Sequence, residues 1–371
     1  MPQKPGKIRV GIIGCGKISD AYFTGCRRYP VLEVVACADL DVVRAEAKAA
    51  AQGIRGCSVD ALLAASDIDL VVNLTIPAAH AAVNRAILTA GKHAYSEKPF
   101  ALNTADGRAV LELARARGLL VGCAPDTFLG GGQQTARAAV DRGLIGRPLS
   151  ALAFMLSRGH EGWHPSPEFY YKPGAGPMFD MGPYYLTALV NLLGPARSVV
   201  SANNQAFSER TITSQPLAGQ IIKVEVPTHY STTVEFASGA VATLIMSFDT
   251  PCGPTLPWIT LYGSEGTLTI PDPNTFEGDN MFYPPGTTPA SIVASIHSNE
   301  RGRGSGVADM AYSILRPGRP FRASGELAQH VLEIMEAADR ASTEGRRILL
   351  NTACVQPTVL PANLAPSVLD P

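Results

Sequence analysis

At 371 residues, with 31 Lys and Arg against 32 Asp and Glu, the chain is long enough for two domains and carries a formal net charge of −1. This balance gives no electrostatic reason to expect a nucleic acid or an anionic membrane surface as a partner, and no apolar run approaches the ~18 residues of a membrane span. The seven cysteines are scattered, without a Cys-x-x-Cys pair or a histidine at zinc-ligand spacing. We therefore interpret them as core residues of a cytoplasmic protein that holds no metal.

The first part of the chain alternates short apolar runs with alanine-rich segments of helical length. This alternation predicts a doubly wound parallel β-sheet with helical crossovers, an α/β Rossmann domain over residues 1–125. The predicted strands lie at 8–13, 31–38, 70–75, 93–96 and 119–123, and the predicted helices at 17–29, 42–52, 79–90 and 104–117.

A glycine turn follows the first strand, with the sequence Gly14-Cys15-Gly16-Lys17-Ile18-Ser19. Gly14 permits a tight turn, and Gly16 lets backbone N–H groups approach a pyrophosphate at a helix N-terminus. The glycines alone are equally compatible with a simple tight turn. Asp39, at the end of the second strand, stands where a carboxylate binds the adenosine ribose, so the pattern as a whole predicts a dinucleotide site.

Asp39 also bears on the choice of cofactor. A carboxylate accepts hydrogen bonds from the ribose hydroxyls and repels a 2′-phosphate, which favours NAD over NADP. Asp39 and Asp41 both suit the N-cap of the helix predicted at 42–52, and the two roles are compatible if Asp41 caps the helix and Asp39 binds the ribose.

The triplet Glu97-Lys98-Pro99 follows another predicted strand, at the carboxyl edge where open parallel sheets bind ligands. Pro99 restricts Lys98 to an extended conformation, which helps to aim its ammonium group. A solvent-exposed surface Lys is the alternative for this residue taken alone.

After residue 125 the pattern changes to long β-like stretches with few helices between them. Consecutive strands of this kind predict an α+β domain over residues 126–354 with a large, open, mainly antiparallel sheet. Helices on one face of such a sheet leave the other face to be covered, which favours a homo-oligomer, a dimer or a tetramer, formed through this sheet. Residues 355–371 are Pro-rich and are predicted as an extended tail. The predicted strands lie at 149–157, 197–207, 220–226, 228–236, 239–248 and 258–271, and the predicted helices at 130–142, 180–193 and 325–344.

Two segments of the second half could carry chemistry. Asp180 and Tyr184 are four residues apart, so a helix that starts here places both on one face, although Asp180 taken alone would more often be an N-cap. The loop before them contains Trp163 and His164, an aromatic face and an imidazole that suit a sugar ring and its hydroxyls. A plain surface loop is the alternative, and the histidines of this loop lack the further ligands of a metal site.

Taken in order, these motifs resemble those of the Gfo/Idh/MocA family, which includes glucose–fructose oxidoreductase and inositol dehydrogenase. The matching segments span both halves of the chain: Gly14-Cys15-Gly16, Asp39, Thr75-Ile76-Pro77 with His80, Glu97-Lys98-Pro99, and 174–184. The resemblance implies an NAD(P)-dependent oxidoreductase that transfers a hydride between nicotinamide and a hydroxyl of a sugar, a sugar derivative or a cyclitol, with NAD preferred. The cofactor contacts that it implies are Gly14, Gly16, Lys17, Ile18, Asp39, Thr75, Pro77, His80, Glu97 and Lys98, and the expected substrate contacts are Asp126, Trp163, His164 and Tyr185.

The resemblance leaves the catalytic base open between two residues. Family members have an Asp that matches Asp180 and usually a His four residues later, where this chain has Tyr184, as some members that resemble glucose–fructose oxidoreductase do. A free phenol titrates near 10, so Tyr184 acting near neutral pH needs its pKa lowered by about two to three units, which a nearby Lys98 could supply. Lys98 with a lowered pKa is the competing base, and Asp180 would orient the pair.

Two other functions are compatible with the same motifs. One is a family member that holds NAD tightly and runs a closed redox cycle, as an oxidoreductase or an NAD-dependent glycosidase. The other is a regulator that binds a dinucleotide or a sugar without turnover, although no DNA-binding helix or basic stripe is apparent.

Overall fold

The computed structural model describes residues 6–250, 256–286 and 289–370. The chain forms two compact units, each discontinuous in sequence. Unit 1 comprises residues 1–131, 296–332 and 357–371, and unit 2 comprises residues 132–295 and 333–356. A compact unit need not fold independently, so these units do not test the predicted domain boundaries at residues 125 and 354, which stay predictions.

Helices and strands occur in both units. The helices are α1 (Ser19–Cys26), α2 (Val42–Gln52), α3 (Val59–Ala64), α4 (His80–Thr89), α5 (Thr104–Ala116), α6 (Gly131–Asp141), α7 (Gly176–Leu193), α8 (Ser305–Leu315) and α9 (Gly325–Glu344). The strands are β1 (Ile8–Ile13), β2 (Leu32–Ala38), β3 (Arg55–Cys57), β4 (Leu70–Asn73), β5 (His93–Ser96), β6 (Val121–Cys123), β7 (Pro148–Leu156), β8 (Ala196–Asn204), β9 (Glu209–Thr211), β10 (Ile221–Lys223), β11 (His229–Phe236), β12 (Val241–Ser247), β13 (Ile259–Gly263), β14 (Gly266–Ile270), β15 (Met281–Tyr283), β16 (Ser291–Ile292) and β17 (Ile348–Leu349). No helix in the described ranges is both long and apolar enough for a membrane span.

Unit 1 is built on a parallel sheet with the strand order β3-β2-β1-β4-β5-β6. This confirms the predicted doubly wound Rossmann fold. The order reverses between β1 and β4, and ligands of such sheets bind at the carboxyl ends of the strands beside this reversal. The segments that start at Gly14, Asp39, Leu74 and Glu97 leave four neighbouring strands at that edge.

Local sequence explains the helices that were predicted in unit 1. The Asp41 carboxylate accepts a hydrogen bond from the Arg44 N–H at the start of α2, and Gly53 ends the helix in a left-handed conformation (φ +68°). The side chain of Asn103 caps α5 in the same way. The amphipathic pattern between such signals places these helices within one to three residues of the observed bounds.

Three elements of unit 1 were not predicted, because none of them shows a periodic pattern, although Ser58 caps the start of α3. β3 has only three residues and α3 only six, so neither shows a period. α8 begins after Gly304 without a side-chain cap and is buried on nearly all sides, so it has no amphipathic pattern. The segment 355–370 forms neither helix nor strand, and it buries Leu360 and Leu369.

Unit 2 is built on a nine-stranded sheet with the order β16-β15-β14-β13-β7-β12-β11-β8-β17. All its pairs are antiparallel except β7 with β12, so the predicted large, mainly antiparallel sheet is confirmed with one parallel pair. Helix α7 packs on β7, β11 and β12 and is buried along most of its length. It begins at Gly176 with Pro177 in its first turn, so the prediction of a helix start at Asp180 was wrong.

Candidate active site

The glycine turn of unit 1 has the backbone that its sequence requires. Gly14 has φ +101°, and a Cβ there would lie 2.6 Å from the carbonyl oxygen of Leu74. Only glycine fits this position. A Cβ on Gly16 would meet no atom within 4 Å, so the space above the turn is open. A turn of this shape with open space above it fits the phosphates of a dinucleotide.

Asp39 holds the glycine turn from the end of β2. Its Oδ2 atom accepts a hydrogen bond of 2.8 Å from the Cys15 N–H, and Oδ1 accepts one of 3.1 Å from the Asp41 N–H. Asp41 caps α2, as predicted. The binding of the ribose by Asp39 stays a prediction. Arg44, whose Nη1 lies 3.6 Å from Asp39 Oδ1, is more than half exposed and carries a charge that would suit a 2′-phosphate.

His80 joins the loops that follow β4 and β5. Its Nδ1 lies 2.7 Å from the Pro99 carbonyl oxygen, and its Nε2 lies 2.9 Å from the Thr75 carbonyl oxygen. Burial lowers the pKa of His80, although both carbonyls favour the charged form. A neutral imidazole has one N–H and can donate to only one of the two carbonyls. Pro77, between these residues, opens a short 3₁₀ turn and is exposed.

Glu97 is a buried carboxylate beside Lys98. Its Oε1 accepts a hydrogen bond of 2.8 Å from the Tyr22 hydroxyl, and its Oε2 accepts one of 2.9 Å from the Lys98 N–H. Burial raises the pKa of Glu97, but the charges of Arg303 and Lys98 and the Tyr22 hydrogen bond outweigh it, so the pKa lies below its ordinary value. Lys98 therefore comes directly after the buried carboxylate of Glu97 in the chain. Its own side chain is half-buried at the carboxyl end of β5.

Asp126, after β6, is fully buried. Its Oδ2 accepts hydrogen bonds from the N–H groups of Gly304 (2.9 Å) and Gly306 (3.1 Å) at the start of α8, and Arg303 Nη1 lies 3.5 Å from Oδ1. Burial raises the pKa of this carboxyl group. The geometry favours a structural role at the start of α8, and the substrate contact predicted for Asp126 stays a prediction.

In unit 2, Asp180 has an unusual position on α7. Of the residues in this helix, only Asp180 and Met181 are not buried. Tyr184, one turn later on the same face, is 6% exposed. Tyr185 is wholly buried, and burial raises its pKa, so its predicted substrate contact also stays a prediction.

His160 is the residue that the sequence did not assign to this site. Its Nε2 lies 3.3 Å from Asp180 Oδ2, and the side chains of both residues are less than one fifth exposed. The angle is not that of a hydrogen bond, but an imidazolium and a carboxylate attract each other at this distance. The family pattern places a histidine four residues after the Asp, and here an imidazole reaches the Asp from the preceding loop instead.

The loop that carries His160 is aromatic and well anchored. The His160 ring is stacked on Tyr170 at 3.7 Å between centroids and meets the edges of Trp163 (5.3 Å) and Phe248 (4.6 Å). Glu161 does not join His160 in a metal site, because it accepts hydrogen bonds from the Tyr171 hydroxyl and from Arg210. Trp163 is 58% exposed, as expected for a residue that meets a ligand or lies on a plain surface loop.

Comparisons with known proteins agree with both halves of this description. Residues 8–124 match the family model described as an oxidoreductase family with an NAD-binding Rossmann fold, and residues 133–269 match the model of the GFO/IDH/MocA C-terminal domain. The chain is 27% identical to 1,5-anhydro-D-fructose reductase of Ensifer adhaerens over 268 residues, covering 70% of this chain and 74% of that protein. It is 31% identical to D-glucoside 3-dehydrogenase of Escherichia coli (strain K12) over 255 residues, covering 65% and 70%.

Solved structures share the fold. Levoglucosan dehydrogenase in complex with NADH and L-sorbose superposes with a TM-score of 0.78 at 19% identity, covering 94% of this chain and 100% of that one. At this identity the likeness concerns the fold alone.

Proposed function

The chain belongs to the Gfo/Idh/MocA family of oxidoreductases, with an NAD-binding Rossmann domain, and from this membership we propose that it is an NAD-preferring dehydrogenase of a sugar, sugar-derivative or cyclitol hydroxyl. The observation that carries the proposal is the partly exposed Asp180 on the otherwise buried α7. The Asp180 side chain is only 16% exposed, and a carboxylate that is mostly buried on a core helix costs desolvation free energy, which is typical of a functional position. The names of the two curated relatives describe reactions on sugars, which supports this substrate class.

The residues that would hold the dinucleotide all belong to unit 1. The turn of Gly14 and Gly16 with the following Lys17 and Ile18 would hold the phosphates, and Asp39 would hold the adenosine ribose. The loops of Thr75, Pro77, His80 and Glu97 would line the nicotinamide end. NAD, when bound, supplies the hydride acceptor.

The preference for NAD rests on the charge of Asp39. Both of its oxygens already accept backbone hydrogen bonds, so the carboxylate and its negative charge are fixed in place just after β2. A 2′-phosphate there would be repelled. Arg44 does not reverse this, because its guanidinium lies beside two carboxylates, those of Asp39 and Asp41.

The side chains of the protein have to accept the proton that the substrate alcohol loses on oxidation. We assign it to Lys98 and Tyr184 acting as a pair, with Asp180 orienting the pair. The assignment of Lys98 and Tyr184 rests on the family resemblance, and Lys98 alone is the competing base. His160 would hold the Asp180 carboxylate and is a positioning residue, since it would act through Asp180.

We further propose that the protein is a homo-oligomer formed through the sheet of unit 2. Phe154 of β7 and Ile245 of β12 lie directly opposite each other and are half-exposed, whereas their neighbours Ala153 and Leu244 are buried. Successive side chains of a strand point to opposite faces, so the half-exposed pair lies on the face away from the buried neighbours. Light scattering tests this, because Phe154→Glu should yield a smaller species if the face is an interface.

The activity is tested by incubating the purified protein with NAD and a panel of sugars, sugar derivatives and cyclitols. Absorbance of reduced nicotinamide should rise with at least one member, and Lys98→Ala should abolish the rise. In parallel, nicotinamide recovered from denatured protein reveals a tightly held cofactor that is never released. No reduced nicotinamide in either measurement, with any member of the panel, contradicts the proposal.

A further inference from the structure

Four side chains beside His160 form a continuous aromatic surface in unit 2: Trp163, His164, Phe169 and Tyr170. The ring centroids lie 5.3 Å apart for Trp163 and His164, 5.4 Å for His164 and Phe169, and 4.0 Å for Phe169 and Tyr170. His164 and Tyr170 close the group at 5.4 Å. Mutual packing of this kind fixes the orientation of each ring before any ligand binds.

Two members of this aromatic surface leave much of their area open. The side chains of Trp163 and Phe169 are 58% and 51% exposed. The two rings are linked through His164, whose ring contacts both of them, and exposed apolar side chains grouped in this way are typical of binding sites.

The cations beside the aromatic surface are paired with carboxylates of the protein. Arg210 pairs with Glu161 at 2.7 Å, and Lys172 pairs with Glu168 at 3.2 Å and with Glu225 at 2.9 Å. With three carboxylates against two cations, the aromatic surface has no excess positive charge around it and does not suit an anionic ligand. An uncharged pyranose ring, with an apolar face and hydroxyls at its rim, fits it best.

The aromatic surface is continuous with Asp180 through one residue. The His160 ring is stacked on Tyr170 and meets Trp163, and its Nε2 lies 3.3 Å from Asp180. Because the His160 ring contacts Asp180 with one atom and the aromatic surface with its faces and edges, we infer that the two places are neighbours about one ring apart. A substrate that uses both places needs two rings.

We propose that the aromatic surface is a subsite for a second sugar ring, so that the substrate is a glycoside or an oligosaccharide and not a free monosaccharide. The inference rests on the proposed function for the reacting ring at Asp180. The second ring stacks on Trp163 and Phe169 and undergoes no chemistry there.

The binding test does not depend on turnover. The chain has two tryptophans, so Trp258→Phe leaves Trp163 as the only tryptophan reporter. This variant is titrated with maltose, cellobiose, sucrose and trehalose and with their constituent monosaccharides. At least one disaccharide should change Trp163 emission saturably. It should bind about tenfold tighter than its monosaccharides, a difference of ~1.4 kcal/mol in binding free energy that one stacked ring can supply. Equal affinities for disaccharides and monosaccharides, or no saturable response to any sugar, overturns the subsite.

A matched pair of variants then tests the residues. Trp163→Ala and Phe169→Ala, followed by calorimetry or by kcat/KM, should each reduce the disaccharide preference severalfold. Tyr283→Ala, at an aromatic residue of β15 that is 43% exposed, is the control and should leave the preference unchanged. If Trp163→Ala keeps the preference, the subsite is wrong even when the enzyme is active. Absence of turnover with intact disaccharide binding contradicts the proposed function and not the subsite.

Discussion

The Nε2 atom of His160 lies 3.3 Å from Oδ2 of Asp180, and stacking on Tyr170 holds the imidazole in this orientation. The histidine belongs to a loop and the aspartate to α7, so the contact arises only in the folded unit 2. The contact restricts the directions in which the Asp180 carboxylate can turn. Four predictions follow from this contact and from the geometry of unit 1.

The contact should matter more for turnover than for binding. We expect His160→Ala to lower kcat by about tenfold with a smaller change in KM, because Asp180 loses the neighbour that orients it, and a tenfold change corresponds to ~1.4 kcal/mol in the activation free energy. His160→Gln keeps an N–H donor near Asp180 and should recover part of kcat, as should free imidazole added to His160→Ala. Steady-state kinetics measures both, and wild-type kcat in His160→Ala would show that the contact has no role in the reaction.

Asp39 should decide between NAD and NADP. Asp39→Asn keeps an oxygen for the Cys15 N–H but removes the charge, so we expect it to narrow the NAD preference without unfolding the glycine turn. Asp39→Ser should narrow it further, because Arg44 then loses a carboxylate partner and can meet a 2′-phosphate. Adding Arg44→Ala to Asp39→Ser should remove that gain. The ratio of kcat/KM for the two cofactors is the measurement, and a wild type that uses both equally would contradict the assignment.

Lys98 and Tyr184 should behave as one catalytic group. Lys98→Ala and Tyr184→Phe are each expected to lower kcat by about 10²–10⁴-fold with little change in cofactor affinity. The double variant should be scarcely worse than either single one, because residues that act together are strongly non-additive. Tyr184→His restores the usual family residue and should retain appreciable activity. Near-normal turnover in Tyr184→Phe, with Lys98→Ala inactive, would make Lys98 the base.

His80 should make the stability of the fold depend on pH. Burial lowers its pKa below the ordinary value near 6.5, so the neutral form is favoured in the folded state. The stability that His80 contributes is therefore present above pH ~6.5 and is lost as the pH falls through its folded pKa. His93, whose pKa is also lowered by burial, acts in the same direction.

Thermal unfolding between pH 7.5 and 5 measures this effect. The midpoint should fall as the pH falls, and His80→Gln should make the decline shallower. His229→Gln, at a half-exposed position at the start of β11, is the control substitution. A decline that is as steep in His80→Gln as in the wild type would mean that other groups cause it.

Local patterns in the sequence account for much of the fold. The apolar run before Gly14 predicted β1 with its observed bounds, and the amphipathic run at 325–344 predicted α9 with its observed bounds. Elements without a period or a cap, such as β3 and α8, could not be predicted because their conformation depends on burial in the folded unit. The start of α7 was missed because Asp180 resembles an N-cap, whereas Pro177 supplies the actual start.

The candidate site divides in the same way. The glycine turn and Asp39 are separated by one strand and one helix, so their spacing was readable from the sequence. The partners of Asp126 at the start of α8, and the contact of His160 with Asp180, join residues from distant segments. Such contacts follow from tertiary packing, and no local pattern signals them.

The transfer of the substrate hydrogen itself tests the central proposal most directly. The protein is incubated with NAD and with a fully carbon-deuterated sugar, disaccharide or cyclitol, and then denatured at neutral pH. Mass spectrometry of the free and the protein-bound nicotinamide should find one deuterium per reduced cofactor, and Lys98→Ala should leave the label in the sugar. Nicotinamide without deuterium in both fractions, for every substrate that binds, would contradict the assignment of a dehydrogenase.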